Sequence, residues 1–329
     1  MAGQVFPVVH STLHADALGQ EVARLYDIAT PVHCELLARG INDNYIVRAG
    51  DERYALRAWR YGLREDFEIA YELAYSDYLK SRGIPFAGPI ATRDGGLDFC
   101  VEAPEGRRHI AMFEWAEGGP LHAQVNEPLA FEVGVLAARL REVAPEFEIA
   151  EPRHIDTPAG LRKKLSALLD MMAHEPDTAS FLKGAVEATA AALDDMDPHA
   201  VPMGPSHRDI HTYNVFVSPD RKTLTLLDFD LCGVDQYAKE LGSFIWRSRY
   251  EGLPEAINDA FVAGYESVFP LNDTERSLVP LFVLARDLWI LCGTAGQIDT
   301  IGRSSVGYAH KVDVFTASVR RHLAEAGLS

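Results

Sequence analysis

The sequence predicts an α+β fold in two lobes: a small antiparallel-sheet N-lobe over residues 1–117 and a mostly helical C-lobe over residues 118–329. Three observations predict it. Short strand-like runs broken by turn residues fill the first third of the chain, and helical periodicity dominates the rest. At 329 residues the chain is too long for one small core and suits two. Glu117-Gly118-Gly119-Pro120 stands where the pattern changes and is the expected hinge.

A first helix is expected over Ser11–Tyr26, where Leu13, Leu18, Val22 and Leu25 recur at near-helical spacing and Asp16 lies near the start. Three strands follow at Cys34–Leu37, Tyr45–Arg48 and Tyr54–Arg57, punctuated by the turns Gly40–Asn44 and Ala49–Glu52. A helix over Arg64–Arg82 stops at Gly83, with Pro85 just beyond. Leu97–Glu102 and Arg108–Trp115 read as two more strands. After the hinge, helices are expected over Glu127–Val143, Pro158–His174, Thr178–Met196, Lys239–Ser248, Pro254–Val268, Asp273–Gly293 and Val306–Ala326. The exception is a hairpin, Val215–Val217 and Leu224–Leu227, around Ser218-Pro219-Asp220.

A net charge of −17 argues against nucleic acid and against an anionic membrane surface as partners. It is compatible with a cationic small substrate and equally with plain solubility. Cys34, Cys100, Cys232 and Cys292 form no C-x-x-C pair and are expected as reduced, buried thiols. No basic-then-apolar start marks a signal peptide, and no run of eighteen apolar residues predicts a membrane span. The expectation is a cytoplasmic monomer or homodimer, so the Asn272-Asp273-Thr274 sequon carries no weight.

The chemistry concentrates in one stretch. His207-Arg208-Asp209-Ile210-His211-Thr212-Tyr213-Asn214 reads H-R-D-x-x-x-x-N, and Asp228-Phe229-Asp230 follows fourteen residues after Asn214. In protein-kinase-like folds this pattern brings a base and two metal ligands to ATP. Phosphoryl transfer needs an aligned hydroxyl, a base beside it and cations on the phosphates. Asp209 is the candidate base; Asn214 and Asp228 are candidate ligands of Mg²⁺, which prefers hard oxygen donors. Asp230 would join a second metal or hold the loop. Singly, Asp and Asn are ordinary turn residues; their joint spacing, with apolar strands between, is what points to catalysis. His207 reads as a loop-packing residue, and His211 as structural or substrate-facing.

The chain resembles the aminoglycoside phosphotransferase/choline kinase superfamily, in particular the branch with type II homoserine kinase and the bacterial stress-response kinases. That branch reads H-G-D-x-H-x-x-N and then I-D-F-D-x-C-G, where this chain has His207–Asn214 and Leu227-Asp228-Phe229-Asp230-Leu231-Cys232-Gly233. The resemblance implies a bilobal protein-kinase-like fold. It places Arg57 where a Lys often contacts the α and β phosphates, paired to Glu72, with Glu65 and Glu68 as rival partners. Gly40-Ile41-Asn42-Asp43-Asn44-Tyr45 resembles the branch's G-x-N-D-x-Y, so Asn42 and Asn44 would lie near phosphate. Phe113, Glu114, Trp115 and Ala116 would meet adenine. Arg208 departs from the usual Gly, which makes the triplet match protein kinases. A helix read over Asp235–Trp246 leaves little room for an activation loop.

The resemblance also places the acceptor pocket among the C-terminal helices, where His211, Trp246, Arg249, Tyr250, Arg286, Asp287 and Trp289 are candidates, beside Arg247 and Gln297. Arg would suit a carboxylate and Asp287 an ammonium. The expected activity is Mg-ATP-dependent phosphorylation of a hydroxyl on a small molecule (an amino-alcohol, an amino acid or an aminoglycoside-like antibiotic), with GTP as an open alternative donor. The rival readings are a Ser/Thr protein kinase of the stress-response type and a nucleotide-binding pseudokinase sensor.

Overall fold

The computed structural model describes residues 6–197, 199–297 and 308–328. They divide into two compact units, the first holding the chain up to Gly119 together with Ser218–Leu227, the second holding Pro120–Val217 and the chain from Asp228 onward.

The first unit begins with α1 (Ala15–Leu25), shorter than expected because the helix starts only after His14. Strands β1 (Val32–Arg39), β2 (Asp43–Ala49), β3 (Glu52–Ala58), β4 (Phe99–Ala103) and β5 (Gly106–Glu114) form one antiparallel sheet in the order β1-β2-β3-β5-β4. One face of α1 buries Leu18, Val22 and Tyr26 against Tyr45, Val47, Leu56, Ile110 and Met112 of that sheet. Asp43, the fourth residue of the expected phosphate turn, is fully buried and pairs with Arg108, also fully buried, at 3.1 Å. That pair pins the β1–β2 turn within a wider network, in which Glu105 also meets Arg108 at 3.1 Å and His10 meets Asp43 at 3.1 Å.

Helix α2 (Asp66–Ser81) opens with a reciprocal capping box. Glu65 accepts from the backbone of Glu68, and the Glu68 carboxylate accepts the Glu65 N–H at 3.0 Å. The helix ends before Gly83, whose φ of +73° suits glycine. Ser218–Leu227, which the sequence reading left with the helical part, belongs to this first unit for a local reason. Leu226 N–H donates to Pro85 O at 2.9 Å and Leu226 O accepts from Ala87 at 3.2 Å.

The second unit contains α3 (Glu127–Val143), α4 (Thr157–Met171), α5 (Pro176–Asp194), α6 (Lys239–Tyr250), α7 (Glu255–Val268), α8 (Asp273–Ala295) and a C-terminal helix (Tyr308–Glu325). Val306 and Gly307 of the expected last helix lie outside the described residues. Helices α3 and α7 approach closely through glycines: a Cβ on Gly134 would meet Phe261 O at 2.0 Å, and one on Gly264 would meet Phe131 O at 2.0 Å.

Two expectations need correction. Asp235 and Gln236 are not helical; they belong to β10 (Gly233–Gln236), which pairs antiparallel with β7 (Met203–Ser206). Neither strand has a sequence run long enough to announce itself without its partner. The four thiols are free, but only Cys232 and Cys292 are buried, and Cys100 is exposed. Helix α8 is long and apolar enough to cross a membrane by length and composition alone. Yet α8 packs against α4, α5, α6 and the C-terminal helix, and it buries Glu275, Arg286 and Asp287. A core helix surrounded by partners needs apolar residues on most of its faces.

Candidate active site

The loop between β7 and β8 (Val215–Val217) carries the H-R-D segment. His207 is fully buried, lies 4.2 Å from the Phe229 ring, and its Nδ1 accepts the Asp209 N–H at 3.2 Å. Its role is to pack and shape the loop. Asn214 closes the loop by donating its amide to Asp209 O at 3.0 Å, which leaves the amide oxygen for another partner.

Arg208 has φ +67°, a backbone position where a glycine would be at ease and most residues are not. Its surroundings hold it there. The Nε donates to Asp235 at 2.7 Å, Nη1 to Leu231 O at 3.1 Å, and the backbone N–H to Glu240 at 2.6 Å. Ser243 donates to Arg208 O at 3.0 Å. Asp235 is shared with Lys239 at 2.6 Å. Arg208 is thus the fastener between the β7–β8 loop, β10 and the start of α6. Among the described residues its guanidinium meets Asp235, Leu231 O and the Trp289 ring, at 5.8 Å, and not an activation loop of the kind that accompanies the H-R-D triplet of protein kinases.

The Asp209 carboxylate receives a hydrogen bond from Arg286 Nη2 of α8. Burial pushes its carboxyl upward, while Arg286, His207 and Arg208 pull the other way. Arg286 Nε has no hydrogen-bond partner among the described residues, although the residue is only 8% exposed. His211 Nε2 faces Asp209 Oδ1 at 3.4 Å, and its Nδ1 accepts the Tyr213 N–H at 3.2 Å. Burial first, then Arg286 and Arg247, hold its pKa down to about 3. At neutral pH His211 is therefore an uncharged imidazole with its proton on Nε2.

Asp228 also has a positive φ, +63°, at the end of β9 (Leu224–Leu226). Its charge acts on His211, and that of Asp230 acts on Asp209, so four groups of the motif share one electrostatic neighbourhood. Arg153 braces the Asp228-Phe229-Asp230 turn by donating to Asp230 O at 2.8 Å and Cys232 O at 2.9 Å. Sequence reasoning missed Arg153, because it lies about seventy-five residues before the turn it holds. An amide oxygen and two carboxylates are a donor set that fits Mg²⁺.

Of the expected acceptor residues, the structure brings His211, Trp246, Tyr250 and Arg286 together. The Arg286 guanidinium lies 5.7 Å from the Trp246 ring, and Trp246 stacks on Tyr250 at 5.5 Å. Trp289 lies nearby, in a cleft of about 30 Å³ lined also by Arg208, Lys239 and Arg286. Arg249 and Asp287 are engaged elsewhere. Arg249 pairs with Glu255 at 2.9 Å and with Glu325 at 2.8 Å. Asp287 is fully buried against the C-terminal helix, accepting from Ser318 at 2.5 Å and facing His322 at 2.8 Å. Sequence reasoning also missed Tyr213 and His122, which with Arg247 form a flank beside His211. Tyr213 is 39% exposed and sits between the His122 ring, at 4.4 Å, and the Arg247 guanidinium, at 4.3 Å. Glu251 ties Thr212 and His122 to this flank at 2.8 Å each.

In the first unit, Arg57 Nη1 donates to Glu72 at 2.9 Å, and Glu72 is 2% exposed. The rivals Glu65 and Glu68 are occupied by the α2 capping box. The Arg57 guanidinium also lies 5.4 Å from the Phe113 ring. Asn42 is buried and accepts the Arg60 N–H at 3.3 Å; Asn44 stands opposite Arg57 in the β2–β3 register. Glu114 N–H donates to Gly88 O at 2.9 Å and Met112 O accepts from Ile90 at 2.8 Å, so both backbone groups are engaged within the unit. Trp115 carries the Arg53 guanidinium at 5.1 Å, and Ala116 follows it after β5.

A half-buried carboxylate beside a cation, hard oxygen donors on the following turn, and the sheet and helical units described above are those of a protein-kinase-like phosphotransferase. Residues 33–278 match the model of the phosphotransferase enzyme family known as APH, and the chain belongs to that family. It is an enzyme that transfers a phosphoryl group to a hydroxyl. The chain is 33% identical to an uncharacterised protein of Deinococcus radiodurans over 92% of its own length and 88% of the relative's. It is 26% identical to a homoserine kinase of Neisseria meningitidis, over 78% and 80% of the two chains. Among solved structures it resembles amicoumacin kinase in complex with AMP-PNP, Ca²⁺ and amicoumacin, with a TM-score of 0.73 at 18% identity over 92% and 93%.

Proposed function

We propose that the chain moves the γ-phosphoryl group of ATP, in the presence of Mg²⁺, to a hydroxyl of a small polar molecule. The observation that carries this reading is the state of Asp209: a carboxylate whose side chain is 14% exposed, held by Arg286 and flanked by a neutral His211. Asp209 accepts the proton of the acceptor hydroxyl as that oxygen bonds to phosphorus, and Arg286 keeps the carboxylate oriented. Asn214 and Asp228, with Asp230 beside them, would hold magnesium, which when bound neutralises phosphate charge. Arg57, fixed by Glu72, binds the nucleotide phosphates, with Asn42 and Asn44 at the neighbouring turn. With Met112 O and Glu114 N–H engaged, adenine falls to the backbone of Trp115 and Ala116 and to the Phe113 side chain.

The acceptor wall is built from His211, Trp246, Tyr250, Arg286 and Trp289, and its mixture of aromatic faces and one incompletely bonded guanidinium suits a compact molecule with polar groups. The relatives and neighbours named as kinases of homoserine and amicoumacin support a small-molecule acceptor. The locked Arg208 weighs against a phosphorylation-controlled protein kinase. The test is ADP formation across a panel of homoserine, amino-alcohols, aminoglycosides and nucleoside antibiotics, with casein as a protein acceptor. Acceptor-dependent turnover with one small-molecule class supports the reading; turnover only with protein would replace it.

A further inference from the structure

We propose a second metal site on the first unit, formed by Asp98, Cys100 and His109 and suited to zinc or a similar borderline-soft divalent ion. Cys100 of β4 and His109 of β5 are direct partners in the strand register, and Asp98 lies two residues before Cys100. Because strand side chains alternate, the three share one face of the sheet. A carboxylate oxygen, a sulfur and a ring nitrogen lie within 4.8 Å of one another.

The surroundings of the imidazole fit a ligand role. His109 Nδ1 faces both Asp98 Oδ2 at 2.5 Å and Cys100 Sγ at 3.5 Å, while its Nε2 faces Asp66 Oδ1 at 3.1 Å. An imidazole held by a carboxylate on its far nitrogen is the usual support of a metal-bound histidine.

The spacing fits as well. Zinc bonds of about 2.0–2.1 Å to nitrogen and 2.3 Å to sulfur at a tetrahedral angle separate the two donors by about 3.5 Å, which is the separation of Nδ1 and Sγ here. Asp98, 30% exposed, has only to back away from Nδ1 to about 3.3 Å to complete a three-ligand set. The Arg107 guanidinium lies against Cys100. The sulfur and nitrogen donors set this site apart from the all-oxygen donor set at Asn214 and Asp228. An exposed position on the sheet leaves the fourth coordination place to water.

Cobalt(II) titration of the tag-free full chain under reducing conditions tests the proposal. The expected result is a thiolate-to-cobalt charge-transfer band in the near ultraviolet and tetrahedral bands in the visible, saturating at one equivalent and displaced by zinc. Cys100→Ser should abolish the charge-transfer band, and His109→Gln should weaken binding at least tenfold. Asp66→Asn should weaken it by about 10–100-fold through the second nitrogen. Asp228→Asn should leave the band unchanged, and far-UV circular dichroism should show each variant folded. No saturable charge-transfer band in the wild type, or an undiminished one in Cys100→Ser, would overturn the site.

Discussion

Arg208 and Glu240 show how much of this site lies in contacts that pattern reading does not reach. The motif gives the position of Arg208 but not its purpose, because Asp235 and Leu231 approach it only once β10 is formed. Arg208→Gly would relieve a left-handed backbone strain of about 1–2 kcal/mol. It would also remove two charge-assisted hydrogen bonds to buried partners, so a net loss of about 1–3 kcal/mol is expected in urea unfolding. Equal or greater stability would contradict the fastening role. Glu240 accepts the Arg208 N–H through one oxygen, while its other oxygen is buried with no hydrogen-bond partner found among the described residues, and burial raises its pKa to about 7. Its folded pKa therefore lies above the unfolded value of about 4.5. Between those two values the unfolded chain releases a proton that the folded chain keeps, so this group's contribution falls as pH rises from about 4.5 to about 7. Glu240→Gln keeps an acceptor for Arg208 and loses this dependence. Relative to wild type it should gain up to about 3 kcal/mol between pH 5 and pH 8. His211 has the opposite sign, its folded pKa being depressed, and its contribution is lost as pH falls below its unfolded value toward about 3. The difference between Glu240→Gln and wild type cancels that background, and a pH-independent difference would contradict the assignment.

At the scale of elements, periodicity located most helices and sheet strands to within a few residues, because each is long enough to show its own spacing. The failures have a common physical cause. Strands β7 and β10 are four residues each and exist through pairing with one another. Cys100 reads as a strand residue, but nothing local says whether it faces the core or solvent, and it faces solvent. The α3–α7 crossing was equally hidden, since Gly134 and Gly264 look like liabilities within helices until the partner backbone is in view. Gly134→Ala should lower stability by about 3 kcal/mol or more, because a Cβ there meets backbone rather than a side chain that can move. Gly184→Ala in α5, where nothing lies within 4 Å of the added carbon, is the matched control and should be neutral or stabilising. Equal effects of the two substitutions would show that close helix approach is not what requires glycine.

For the whole molecule, the family was legible in five residues, Asp209, Asn214, Asp228, Phe229 and Asp230, whose spacing comes from the reaction's demand for a base and hard oxygen donors. The acceptor side was less legible. Arg249 and Asp287 are polar residues on helices that turn out to be tied into ion pairs and hydrogen bonds of the second unit, whereas Arg286, one position before Asp287, reaches the Asp209 carboxylate. Adjacent residues on a helix point about 100° apart, so the sequence nominates both and only packing separates them. The reading therefore rests on Asp209. Steady-state ADP formation with the best small-molecule acceptor, compared between wild type and Asp209→Asn, tests it most directly, with circular dichroism and nucleotide affinity measured on both. The account predicts acceptor-dependent turnover in the wild type and a fall in kcat of about 10²–10⁴-fold in Asp209→Asn, with fold and nucleotide binding retained. Turnover in Asp209→Asn within a few-fold of wild type would contradict it.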